Sequence, residues 1–194
     1  MILDPLYGFV FFGLFSPGPN VVLLTASGAR FGLRRTLPHL FGVVLGVGVT
    51  AGLTGLGIAA LLREAPALEL ILKIAASGWM MWMAWGLWTA DRRRGKADRD
   101  RPMTLIEGAL FQWVNPKVWA VALAAASAYP GGGGPLAEAL RLGSAFSGIN
   151  LFCCTFWTSA GALLTYLLTT PRAWRIFARI MALALGSFSV MVFL

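Results

Sequence analysis

Charge is what this sequence has least of. Of its 194 residues 12% are charged; eight are acidic and one is a histidine. Soluble domains carry about 25% charged residues. A water-facing globular fold is therefore excluded, and a hydrophobic share of 58% with a mean hydropathy of +0.74 points into lipid. Cysteine is nearly absent too. Cys153 and Cys154 stand side by side in an apolar run, which is neither a disulfide framework nor a metal-ligand spacing; small apolar packing is their expected role. The acids, Asp4, Glu64, Glu69, Asp91, Asp98, Asp100, Glu107 and Glu138, all fall near ends or loops. With the single His39 they form no cluster of the kind a divalent-metal exporter needs, so neither a metal nor a cofactor is expected. No basic stretch precedes the first apolar run, which begins after Met1-Ile2-Leu3-Asp4, so a cleavable leader is not expected.

What is plentiful is apolar sequence in lengths that suit a bilayer, for which about 20 residues per helix suffice. Six spans are predicted, roughly 6–29, 37–62, 68–90, 105–129, 140–168 and 173–194. The net charge of +8 is carried by their connections. Arg30, Arg34 and Arg35 follow the first span. Arg92, Arg93, Arg94, Lys96, Arg99 and Arg101 follow the third, and Arg172, Arg175 and Arg179 follow the fifth. Basic loops stay on the cytoplasmic side, which puts loops 30–36, 91–103 and 169–175 inside and both termini outside. No basic fold of a nucleic-acid-binding type is present, so nucleic acid is not an expected partner.

The fold class expected is all-α and integral to the membrane, one membrane domain over 1–194. The polar linker at about 91–103 divides it into a repeat at about 1–90 and a second at about 104–194. The first half of three spans enters from outside and the second from inside, so halves of like fold would be inverted repeats.

The organising stretch is Ser16-Pro17-Gly18-Pro19-Asn20. It sits in the middle of residues 5–29, which carry no charge. Pro17 and Pro19 lack an N–H, so the carbonyls of Gly13 and Phe15 lose their helical partners. Such a break at mid-membrane survives only inside protein or beside a wet cavity. The fourth span repeats the device in Gln112-Trp113-Val114-Asn115-Pro116-Lys117, where Pro116 frees the carbonyl of Gln112. Ser16 and Asn115 are expected N-caps, with Pro17 and Pro116 opening new half-helices. Half-helix N-termini suit a carboxylate, and the carbonyls that end the preceding half-helices suit an ammonium. Together they fit a zwitterion. Ser16, Pro17, Gly18, Pro19, Asn20, Gln112, Asn115, Pro116 and Lys117 are thus the candidate substrate site.

Lys117 is a cation near the bilayer centre, costly and functional by default. It can pair with a substrate carboxylate, carry a proton in exchange, or donate to the orphan carbonyls of the first break. The glycines of the second span, Gly42 to Gly57, suit close helix packing, within one chain or at a homo-oligomer face. Trp79, Trp82, Trp85 and Trp88 suit packing or lipid contact. Ser144, Ser147, Thr155, Thr158 and Thr165 share a helical face expected to turn inward, with Asn150 at its margin.

Pro17-Gly18-Pro19-Asn20, Gly28, Gly32, Gly42-Val43-Val44-Leu45-Gly46, and Gly108 through Asn115-Pro116-Lys117 resemble the LysE/RhtB family of amino-acid exporters over nearly the whole chain. The resemblance implies a bacterial inner-membrane exporter of amino acids or related metabolites, driven by the proton gradient, with the lipid bilayer and an amino-acid-like solute as partners. The lysine-exporting branch carries an acid in its second span; none stands between Gly42 and Gly57. The RhtB-like, neutral-substrate branch fits better. The readings set against an exporter are a non-transporting scaffold, a metal-ion exporter, a thiol relay (which would need cysteines where Ser16 and Asn115 stand) and a hydrolase using Ser16 and Lys117 as a Ser–Lys pair. No enzyme is expected.

Overall fold

The computed structural model describes residues 4–57, 66–89, 101–191 and 193. Most of the basic linker, 91–100, lies outside the described residues, as does the end of the second expected span. All regular structure among the described residues is helical.

Helix α1, Pro5–Phe15, is opened by Asp4, whose carboxylate accepts from the Leu6 N–H at 3.0 Å with Pro5 in the first helical position. It stops where Pro17 forces Ser16 into an extended conformation, as the residue before a proline prefers. Helix α2, Pro19–Gly55, is broken once, at Gly32 (φ 79°, ψ 167°). That left-handed backbone is cheap only for glycine. The chain reverses there. Ser27 Oγ meets Thr36 Oγ1 at 3.0 Å across the bend, inside the loop expected at 30–36.

Beyond it lie α3, Pro66–Trp88, and α4, Leu105–Val114. The latter starts at a capping box in which Thr104 and Glu107 satisfy each other's backbone N–H groups. Arg101 grips the same Glu107 through two bonds of 2.7 Å. Asn115 separates α4 from α5, Pro116–Ala128; then come α6, Pro135–Leu164, and α7, Pro171–Met191. By length and composition α2, α6, α7 and residues 70–88 of α3 are apolar and long enough to cross a membrane. Three of the four helices flanking the proline breaks, α1, α4 and α5, are individually shorter.

The second arm of α2 is the axis of the bundle. It packs most closely on α6 and α4, while α3 packs on α7. Contact is backbone to backbone. A Cβ at Gly42 would run into the backbone of Leu105, and one at Gly46 would come within 2.9 Å of the Ala109 Cα. The glycine-rich span is thus spent on packing inside one chain, the simpler of its two expected uses. One apolar core joins Leu6, Val10, Leu24, Val43, Val47, Phe146 and their neighbours; a second joins Met80, Ala84, Phe111 and Leu185. At about 25 cal/mol per Å2 such burial dominates folding in water, but in lipid it is tight packing, rather than escape from solvent, that holds helices together.

Arg141 ties three helix ends. It pairs with Glu138 at 2.7 Å and Asp4 at 3.7 Å and donates to the Tyr129 carbonyl. One corner of the bundle, where α1 begins, α5 ends and α6 begins, is thereby clamped. Trp82 and Trp85 of the tryptophan stripe are about two-thirds exposed, at 66% and 67%, so they face lipid rather than a pathway. Arg179 lies over the Trp88 ring at 5.1 Å.

A candidate substrate site where two broken helices meet

The two proline breaks lie against each other in antiparallel register. Gly13 packs on Val121, Phe9 on Tyr129, Lys117 on Ser16, and Asn20 on Gln112. Residues 92 to 101 positions apart in the chain thus converge on one point.

Each orphan carbonyl finds a donor there. The Gly13 carbonyl accepts from Ser16 Oγ at 3.0 Å, and the Phe15 carbonyl from the Trp157 indole at 3.2 Å. At the second break the Gln112 carbonyl accepts from the Asn115 N–H at 3.3 Å, and the Trp113 carbonyl from the Trp119 indole at 2.9 Å. Each break therefore has one tryptophan that donates to it. Buried polar groups are rarely left unpaired, and these bonds hold the breaks rigid.

Lys117 Nζ donates to Ser16 O, to Ser16 Oγ at 3.0 Å and to Pro17 O at 3.1 Å. All three ammonium protons are directed at the C-terminal, negative end of α1. The protein's own cation thus occupies the carbonyls that the sequence offers to a substrate ammonium. Its stem lies directly over Gly18, where a Cβ would come within 2.7 Å of Cδ and 2.8 Å of Nζ.

One expectation is corrected. The helix after the first break does not restart at Pro17 with Ser16 as N-cap. It restarts at Pro19, with Gly18 extended at the N-cap position (φ −176°, ψ 179°). A start at Pro17 would place Gly18 in a helical conformation just before a proline, which its ring disfavours. Ser16 instead ends α1. Asn115 does occupy the N-cap of α5 with Pro116 following, but its side chain makes no capping bond; Nδ2 reaches Gln112 Oε1 at 3.3 Å.

A cavity of about 20 Å3 opens beside the breaks. It has room for about one water, so in this conformation it is shut to anything the size of an amino acid and must widen to admit one. Of the predicted residues Gly18, Asn20, Asn115 and Lys117 line it; Ser16, Pro17, Pro19, Gln112 and Pro116 do not. The opposite wall is α6, through Asn150, Cys153, Cys154 and Trp157. Two buried atoms of this lining have no protein partner, Asn115 Oδ1 and Asn150 Nδ2, one acceptor and one donor.

The inward face of α6 also differs from expectation. Thr158 is fully buried, but Ser144 and Thr155 are exposed. The face that packs is centred on Phe146, Asn150, Cys153 and Cys154. A helical serine can satisfy its hydroxyl on its own backbone, as Ser144 does on the Arg141 carbonyl at 3.1 Å, so it needs no inward partner. Thr165 instead reaches across to the Ala29 carbonyl at 2.8 Å. The cysteine pair, expected only as packing, contributes two buried free thiols to the cavity wall. Among the described residues no three His, Cys, Asp or Glu side chains come together as a metal site would require.

No curated protein and no solved structure matches the chain. A family model described as LysE type translocator matches residues 11–194, a range that contains both breaks, the cavity and every helix after α1 whole. The chain belongs to the LysE type translocator family, whose members are transporters and not enzymes.

Proposed function

We propose that this protein exports neutral amino acids, or metabolites of like size and charge, across a bacterial inner membrane in exchange for protons. The observation that carries the reading is the cavity at the meeting of the two breaks, with a buried acceptor, Asn115 Oδ1, and a buried donor, Asn150 Nδ2, both without protein partners. Alongside them stand the N-terminus of α2 at Asn20 and Val21 and the ammonium of Lys117. A carboxylate is matched by the helix N-terminus and Asn150. An ammonium is matched by Asn115. The rest of the lining, Leu14, Val21, Leu24, Val118 and Trp157, is apolar, and no acid is present to take a second positive charge. A neutral, RhtB-like substrate range follows, with basic amino acids rejected.

In this reading α1 with the first arm of α2 makes the first span, the second arm the next, and α4 with α5 the fourth. The six spans form two inverted three-helix halves. The packing supports it: α2 on α4 in one direction is mirrored by α6 on α1 in the other, and α3 meets α7. Both termini lie outside under the positive-inside rule. Lys117 is the titrating group. Protonated, it holds the end of α1; on losing its proton it releases those carbonyls, and a passing substrate ammonium takes its place.

The test is flux in proteoliposomes with a panel of neutral and basic amino acids, with and without a pH gradient. Gradient-dependent movement of neutral solutes is expected. Absence of flux for the whole panel, with a tightly bound protein partner recovered instead, would point to a scaffold.

A further inference from the structure

A second hollow lies on the lipid-facing side, away from the breaks. It is a shallow groove of about 450 Å3 between α3 and α7, walled by Met81, Trp85 and Trp88 on one side and Leu183, Gly186 and Val190 on the other. The side chains on its rim are well exposed, Trp85 at 67% and Leu183 at 61%. The α7 wall continues as a basic stripe. Arg172, Arg175, Arg179, Leu183, Gly186 and Val190 follow one another at spacings of three or four, so they share one helical face. All three arginines are exposed, and Arg179 marks the junction by lying over Trp88 at 5.1 Å. Among the described residues no carboxylate pairs with any of the three; Asp4, Glu107 and Glu138 are taken up by Arg141 and Arg101. The linker that follows α3 adds six basic residues against three acidic ones over 91–101.

We propose that this groove holds one anionic phospholipid, its phosphate on Arg172, Arg175 and Arg179 and one acyl chain laid between α3 and α7. Charge and shape agree. From Met81 to Trp88 the wall is about 10 Å long at 1.5 Å per residue, enough for a good part of a fatty chain, and the charged stripe begins where the apolar wall ends. A second copy of the chain fits worse. Two copies facing each other about an axis normal to the membrane would set the same arginines against one another, an arrangement that like charges oppose.

The test is native mass spectrometry on the full-length protein in mild detergent, with phosphatidylglycerol or phosphatidylcholine added, scored on the monodisperse fraction only. One phosphatidylglycerol is expected to stay bound, and phosphatidylcholine is not. Changing Arg172, Arg175 and Arg179 together to Gln should weaken retention on the order of a hundredfold, given the attraction each arginine contributes at an anionic surface. Gly186→Leu leaves the arginines intact and fills the groove, since a Cβ there meets nothing within 4 Å; it should also release the lipid. Arg34→Gln with Arg35→Gln should not. Equal retention of the two lipids, retention unchanged in the arginine variant, displacement by glycerol phosphate alone, or a dimer that Gly186→Leu splits without any lipid bound would each overturn the proposal.

Discussion

Asn20 and Gln112 stand 92 residues apart and pair their carboxamides face to face, at 2.8 Å one way and 3.1 Å the other. Gln112 is fully buried and also donates to the Gly108 carbonyl at 2.9 Å. This bond joins the residue that follows the first break to the residue that precedes the second. Asn20→Ala would take one bond from each end of the buried Gln112 carboxamide, leaving Nε2 on the Gly108 carbonyl and Oε1 with the longer bond from Asn115, at a cost of about 0.5–1.5 kcal/mol for each bond lost. A double-mutant cycle with Gln112→Ala, read as thermal unfolding in detergent, should show a coupling of about 0.5–3 kcal/mol. Strict additivity would mean that the pair does not bind the two breaks together.

Lys117 separates ligand, proton carrier and strut by substitution. Arginine keeps a positive charge in this position but cannot lose it. Lys117→Arg should therefore keep the carbonyls of Ser16 and Pro17 occupied and abolish substrate movement with or without a pH gradient. Lys117→Met frees those carbonyls permanently and should retain exchange of substrate while losing accumulation driven by a pH gradient. Gradient-driven flux that survives in the arginine variant would take proton transfer away from this residue.

The glycines make a contrasting pair of predictions. A Cβ at Gly161 collides with the Thr25 backbone, whereas one at Gly148 meets nothing within 4 Å. Gly161→Ala should cost about 1–3 kcal/mol as an overpacked contact. Gly148→Ala should be neutral or slightly stabilising, since glycine inside a helix is worse than alanine by roughly 1 kcal/mol. Melting of the two variants in detergent reads the difference directly. Similar behaviour would contradict the backbone contact between α2 and α6.

How far the sequence could be read follows from what each residue needs. Proline lacks an N–H whatever surrounds it, so both breaks and the freed carbonyls of Gly13, Phe15 and Gln112 were legible. The donor that answers Phe15 was not: Trp157 lies 142 residues away, and no local pattern links the two. The restart at Pro19 is not set by capping preference, which favours Ser16, but by the constraint that Pro19 places on Gly18. On α6 the hydroxyl pattern does not mark the inward face. Hydroxyls that bond their own helix carry no such information, whereas Asn150, with no way to satisfy its carboxamide in lipid, did mark it. The cavity wall formed by Cys153 and Trp157 exists only through tertiary contact.

Asn150 gives the sharpest test of the site, because it separates function from stability. It is 3% exposed, its Oδ1 accepts only a long 3.4 Å contact from the Cys154 thiol, and its Nδ2 has no protein partner. Removing a residue that other groups depend on strands those groups; removing Asn150 strands only a weak thiol donor. Asn150→Leu keeps the number and branching of the side-chain heavy atoms and deletes an unsatisfied amide from a buried place beside a cavity, so the fold should be as stable as before or more so. Transport should suffer. A donor aimed at a substrate carboxylate contributes roughly 1.5–3 kcal/mol when the acceptor is charged, which corresponds to a loss in apparent affinity of about ten- to a hundredfold. The expected result is a raised KM for neutral amino acids with an unchanged melting temperature. A variant that melts early but transports with normal affinity would make Asn150 a packing residue and leave the cavity without its donor.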